Sequence, residues 1–193
     1  VSGAPVAVKV LRAGAEVERF GREARLLAEL HHPGIVRYVA HGSSTDGPFL
    51  AMEWLEGVTL SQRLELVELT LAESVSVIRQ VASAIGAAHR RSIVHRDLKP
   101  SNVFLVEGCA DRAKVMDFGV ARQGTLSSDL TRTGAVLGSP RYMSPEQASG
   151  KPDLGPESDV WALGVIAFRC LTGRFPFDGE SLELVVADIG CAL

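Results

Sequence analysis

Two short apolar runs, 103–106 and 113–116, constrain this chain most. The turn-rich Glu107-Gly108-Cys109-Ala110-Asp111-Arg112 joins them, so they are expected to form an antiparallel pair. The first run is entered from Asn102 and the second leaves into Asp117. Antiparallel pairing therefore brings an amide oxygen and a carboxylate together at the open end of the hairpin. Two hard oxygen donors side by side suit magnesium, which takes few protein ligands and completes its shell with water and phosphate oxygens. Either residue alone would read as a cap or a turn former. The segment leading into Asn102 decides between the readings.

Around that hairpin, strands and helices follow one another. Residues 5–11 read as a strand with Ala7, Lys9 and Leu11 on one face, so a lysine shares a face with apolar neighbours. From 15 to 30, Phe20, Leu27 and Leu30 keep helical spacing, and Glu23 falls in the same row, a carboxylate aimed at the expected core. Pro33 and Gly34 stop that helix before a strand at 35–40, and a polar turn at 42–48 leads to another at 49–54. Thr70 opens a long helix whose expected buried stripe is Val75, Ile78, Ala82, Ile85 and His89. Residues 119–155 hold Ser, Thr, Gly and Pro without a sustained period, a loop long enough to imply a function. Residues 160–171 are apolar almost all round, which suits a helix enclosed on every side.

Composition limits what such a chain can do. Apolar residues make up 46% and charged residues 22% of the 193, which places it among globular proteins. Twenty basic against 23 acidic side chains give a net charge of -3, too even for attachment through nucleic-acid phosphates. The longest apolar stretch, 160–168, is about half of what a bilayer crossing needs. Cys109, Cys170 and Cys191 lack metal-ligand or redox spacing, which fits a reducing compartment. The expectation is a cytoplasmic segment that contacts neither nucleic acid nor membrane; an anchor elsewhere in a longer parent stays open.

The segment before the hairpin reads His95-Arg96-Asp97-Leu98-Lys99-Pro100-Ser101-Asn102, and Asp117-Phe118-Gly119 follows it. Val6-Ala7-Val8-Lys9 and Glu23 stand upstream, and Ser144-Pro145-Glu146 downstream. In this order the motifs resemble the catalytic core of protein kinases. The run from Gly138 through Ser139, Pro140 and Arg141 to Ala148 resembles the bacterial serine/threonine kinases of eukaryotic-like type in particular. The resemblance implies an α+β fold of two lobes, a small sheet with one helix above a mainly helical lobe. Residues 1–54 would form a remnant of the first lobe and 55–193 part of the second. The three spaced glycines that should precede Lys9 are not among residues 1–5, and the distal arginine that the family pairs with the glutamate at Glu146 is expected to lie outside this segment too. The chain is therefore expected to be an internal piece of a kinase domain, without the first two strands and the last helices, and weakly active by itself.

The resemblance also implies an activity: transfer of the ATP γ-phosphoryl group to Ser and Thr hydroxyls of proteins, with ATP and Mg2+ bound. Asp97 would orient the hydroxyl and accept its proton, while Lys99 would meet the transferring group. Lys9 would hold the α and β phosphates, fixed by an ion pair with Glu23. Asn102 and Asp117 would hold magnesium. Met52 would be the gatekeeper, the backbone of Glu53 and Leu55 would meet the purine edge, and Ala7 and Phe104 would sandwich the ring. A phosphate on Thr131 or Thr133 would pair with Arg96 and order the long loop. Ser139, where the family usually has Thr, would sit near Asp97 and Lys99, and Glu146 would support the loop. The implied partners are protein substrates, a second copy of the chain phosphorylated in trans among them. The alternative is a pseudokinase or truncated scaffold that binds partners without turnover; the presence of every named catalytic side chain argues against decay by mutation.

Overall fold

The computed structural model describes residues 3–10, 17–118, 140–177, 179 and 182–190. For residues 17–20, 22, 23, 182 and 183 the description is of the helical backbone alone.

The first sheet has the order β1-β3-β2, antiparallel throughout, with β1 at Val6–Val10, β2 at Tyr38–Ser44 and β3 at Gly47–Glu53. Its register sets Ala7 opposite Met52 and Lys9 opposite Leu50. Helix α1 (Val17–Ala28) covers it and contributes Ala24 and Leu27 to the core, with Leu30 just beyond. The expected strand at 35–40 begins later, and the polar turn at 42–48 shrinks to residues 45–46. Polar His41, Ser43 and Ser44 continue β2 because an edge strand of an antiparallel sheet can face water without breaking its ladder. Residues 34–36 instead bind the second sheet: Val36 N–H donates to Val115 O at 2.9 Å, and Val115 N–H donates to Gly34 O at 2.8 Å.

That second sheet has the order β4-β5-β6, with β4 at Gly57–Thr59, β5 at Val103–Val106 and β6 at Ala113–Val115. The hairpin forms as its sequence predicts, with Val103 opposite Val115. Strand β4, too short to carry a period, was not expected. Helix α2 (Leu60–Leu66) follows directly, capped by Thr59 in a capping box with Gln62. Thr70 and Glu73 do the same for α3 (Leu71–His89).

The buried stripe of α3 is Ser74, Val77, Val81, Ala84, Ile85 and Ala88; Ile85 is buried as expected, the others lie one position away from the expected row, and Val75 is 53% exposed. This face is the one that meets α5 (Pro156–Thr172), where Ser74 Oγ donates to Cys170 O at 3.0 Å. Helix α5 is not enclosed on every side. Ser158, Asp159, Ala162, Val165, Ile166 and Cys170 are buried, but Val160 and Leu171 are 61% and 52% exposed, since among the described residues neighbouring elements meet one of its faces. A short helix α4 (Pro145–Ala148), capped by Ser144, interrupts the stretch expected to be loop, and α6 (Leu182–Gly190) packs against α4. Among the described residues no helix is long and apolar enough to cross a membrane.

Candidate active site

The loop from His95 to Lys99 is held from beneath by a carboxylate. Asp159, 1% exposed on α5, accepts the backbone N–H of His95 on Oδ2 and that of Arg96 on Oδ1, both at 2.8 Å. His89 Nε2 meets the same Oδ2 at 2.7 Å. The support is needed because Arg96 has φ 64°, a left-handed conformation that costs a non-glycine residue about 1–3 kcal/mol. From the other side Gln147 Nε2 donates to Arg96 O at 2.7 Å. Sequence reasoning missed Asp159 and His89; the available signal was a carboxylate in the first turn of an otherwise apolar helix.

His95 is fully buried, with its ring centroid 4.7 Å from that of Phe118. Its Nδ1 accepts the Asp97 N–H at 3.3 Å, so Nε2 carries the proton and donates to Met116 O at 3.0 Å. Burial pulls its pKa below the ordinary value, against the opposing pull of Asp159. A neutral imidazole thus ties Asp97 to the residue before Asp117.

The charged groups meet above this ring. Lys99 Nζ lies 3.0 Å from Asp97 Oδ2. Asn102 Nδ2 donates to Asp97 O at 2.8 Å and faces Asp97 Oδ2 at 3.3 Å. Asn102 O accepts the Met116 N–H at 2.9 Å, as the open end of the hairpin requires, and Asp117 follows with φ 59°. Asp117 Oδ1 lies 2.8 Å from Lys9 Nζ. The structure therefore gathers Lys9, Asp97, Lys99, Asn102 and Asp117. Because Asn102 spends its amide N–H donors on Asp97, its carbonyl oxygen is the group left to hold a cation beside the Asp117 carboxylate.

The partner of Lys9 in this arrangement is Asp117; the Glu23 side chain lies outside the described residues, as do Thr131, Thr133 and Ser139. Ala7 and Met52 are half-buried across β1 and β3 from each other, and Leu55 and Phe104 are half-buried too. Glu53 has a second role that its sequence position did not reveal. Its carboxylate accepts from Lys114 Nζ at 2.5 Å and from the Arg37 N–H at 2.9 Å. Burial pushes the Glu53 pKa up, but the bonds from Lys114 and Arg37 outweigh it and hold the carboxyl below its usual value. Burial pushes the Glu146 pKa up, but the hydroxyls of Ser158 and Ser144, a backbone N–H and the Lys151 charge together outweigh it and hold the carboxyl below its usual value. Arg96 Nε is buried without a hydrogen-bond partner among the described residues.

The protein kinase domain family matches residues 1–190. Serine/threonine-protein kinase Pkn1 of Myxococcus xanthus is 44% identical over 187 residues, which are 93% of this chain and 27% of that protein. Serine/threonine-protein kinase PrkC of Bacillus subtilis is 41% identical over 182 residues, 91% of this chain and 28% of that one. The chain thus spans about a quarter of the length of these curated relatives. Among solved structures, Rad53 1-466 in complex with AMP-PNP superposes with a TM-score of 0.77 at 27% identity, covering 96% of this chain and 46% of that one.

Proposed function

Because the chain belongs to the protein kinase domain family, we propose that its parent is a serine/threonine protein kinase of the bacterial eukaryotic-like type, and that these residues form its catalytic segment. The supporting observation is a pair of contacts joined through the hairpin backbone: Lys9 with Asp117 on one side, Asn102 and Lys99 with Asp97 on the other, linked where Met116, next to Asp117, donates to Asn102 O. It sets an ammonium, two metal-suited oxygens and a carboxylate beside a second ammonium, the parts that phosphoryl transfer calls on.

ATP and Mg2+ suit this donor set, because hard oxygens on Asn102 and Asp117 fit magnesium and the Lys9 ammonium fits phosphate. Mg2+, when bound, neutralises charge on the phosphate oxygens. Lys9, with Glu23 as its further partner, holds the α and β phosphates. Asp97 orients the substrate hydroxyl and takes its proton as the new bond from oxygen to phosphorus forms. The bond from phosphorus to the ADP oxygen breaks, and its electron pair leaves on ADP. Lys99, already beside Asp97, offsets the charge on the transferring group. Met52, the backbone of Glu53 and Leu55, and the faces of Ala7 and Phe104 enclose the purine. Phosphate on Thr131 or Thr133 pairs with Arg96, and Ser139 and Glu146 support the same loop. A second copy of the chain is a substrate among others. The full set of catalytic side chains favours turnover over the scaffold reading.

Radiolabelled transfer from Mg-ATP to a Ser/Thr-containing protein substrate tests this in the full-length protein. Asp97→Asn should lower the rate by about 10³-fold, in the range that general-base removal costs. A wild-type protein that transfers nothing, or a variant that transfers equally, would overturn the proposal.

A further inference from the structure

Two ion pairs join the two sheets. At one end Lys9 of β1 meets Asp117, just past β6; at the other Glu53, the last residue of β3, meets Lys114 inside β6. Leu50, opposite Lys9 in register, stands three residues before Glu53, and Lys114 stands three before Asp117. Along β3 the three positions from Leu50 to Glu53 span about 10 Å at about 3.3 Å per residue, so the two pairs meet the second sheet at separate places, one inside β6 and one just past its end.

The second pair is better built than a surface ion pair. The Glu53 and Lys114 side chains are only 19% and 23% exposed, so water screens them weakly. The Glu53 oxygen that meets Lys114 also accepts the Arg37 N–H at 2.9 Å, and the Glu53 N–H donates to Arg37 O at 2.9 Å. Just before Arg37, Gly34 and Val36 are bonded to Val115, the neighbour of Lys114. One residue, Glu53, therefore carries both the backbone assigned above to the purine edge and the carboxylate that reaches β6. Lys114 reaches that carboxylate from the strand leading to Asp117.

We infer that the Glu53–Lys114 pair is a positioning device that fixes the purine-reading backbone against the strand carrying Asp117, so that nucleotide affinity, and not the chemical step, depends on Lys114. The inference rests on the kinase reading of the site. Lys114 touches neither the reacting atoms nor the nucleotide in this assignment; it acts through Glu53.

The test uses the full-length protein with Lys114→Met, Lys114→Arg, and the exchange of Glu53→Lys with Lys114→Glu. Steady-state transfer gives KM for ATP and kcat, and calorimetry without magnesium gives Kd for adenosine. Lys114→Met should raise both KM and the adenosine Kd about five- to tenfold with kcat changed less than about twofold. Lys114→Arg should return both to near wild type, and the exchange should recover part of the loss. Wild-type adenosine affinity in Lys114→Met, a kcat that falls in step with KM, or a lowered Tm with both constants unmoved would each overturn the inference. A wild-type protein that binds no adenosine would overturn the site assignment and the pair's role together, whereas binding that is equal in wild type and variant removes only the pair's role. Should Lys114→Met fail to fold, Lys114→Arg and the exchange make the same comparison: an arginine variant matching wild type beside an exchange that loses affinity supports the role, and wild-type affinity in both overturns it.

Discussion

Asp159 Oδ1 accepts the backbone N–H of Arg96 at 2.8 Å and so fixes an arginine at φ 64° immediately before Asp97. The same carboxylate takes the His95 N–H and meets the His89 ring, three interactions on a group that is 1% exposed. Asp159→Ala leaves two buried N–H donors without an acceptor and the left-handed residue without its restraint. The expected cost is about 3–5 kcal/mol, the range for breaking a buried charged network. Phosphoryl transfer should fall with it, because Asp97 loses its placement. Denaturant unfolding measures the first effect, and an unchanged midpoint refutes it. Asp159→Asn keeps one acceptor oxygen and should cost less.

Lys9 and Asp117 call for the opposite balance. Their side chains are 45% and 27% exposed, so water screens the pair, and its contribution to stability should stay below about 1 kcal/mol. Its contribution to activity should be large if, as proposed above, Lys9 holds the phosphates and Asp117 the magnesium. Lys9→Met and Asp117→Asn should each lower kcat/KM by about 10²- to 10³-fold. The double variant should be little worse than either single one, as groups acting as a unit are not additive. Thermal unfolding beside transfer kinetics checks both halves; a large drop in Tm with modest kinetic loss would show a structural pair.

What could be read from the sequence was local. The hairpin, with Asn102 and Asp117 at its open end, follows from two short runs and the turn between them, and the structure joins those ends through the Met116 N–H. The stripe on α3 is ambiguous in sequence because two adjacent rows, both containing Ile85 or its neighbour Ala84, share the same spacing and are similarly apolar. Contact with α5 decides between them, as the bond from Ser74 to Cys170 shows. Strand β4 has three residues and no period to detect. Asp159 and the pair of Glu53 with Lys114 were hidden for another reason. Their partners lie far along the chain, and a charged residue with a distant partner has the same local pattern as one that faces water.

His95 makes stability depend on pH. Burial lowers its folded pKa below the ordinary histidine value of about 6.5, so below that pH the unfolded chain binds more protons than the folded one. Its contribution is fully present above about pH 6.5 and is lost as pH falls from there toward the lowered folded value. Protonation also takes Nδ1 away as acceptor for the Asp97 N–H. Denaturation midpoints should therefore drop as pH falls below about 6.5 in the wild type, by more than in His95→Asn. Parallel pH curves for the two proteins would remove His95 as the cause.

Gly57 separates a clash from simple backbone strain. It has φ 146°, and a Cβ there would stand 2.1 Å from Leu105 O and 2.9 Å from Glu107 N, inside the pairing of β4 with β5. Gly108 is also left-handed, at φ 73°, but a Cβ there would meet nothing within 4 Å. Gly108→Ala should cost about 1 kcal/mol, the strain alone, whereas Gly57→Ala must also push β4 off its partner and should cost about 3 kcal/mol or more. For a chain of this size that corresponds to a loss in Tm of about 3 °C against about 9 °C. Strand β5 begins directly after Asn102, so displacing its ladder should reduce transfer in Gly57→Ala and leave Gly108→Ala near wild type. Equal Tm losses in the two variants would mean that β4 yields without strain, and that the ladder does not set the position of Asn102.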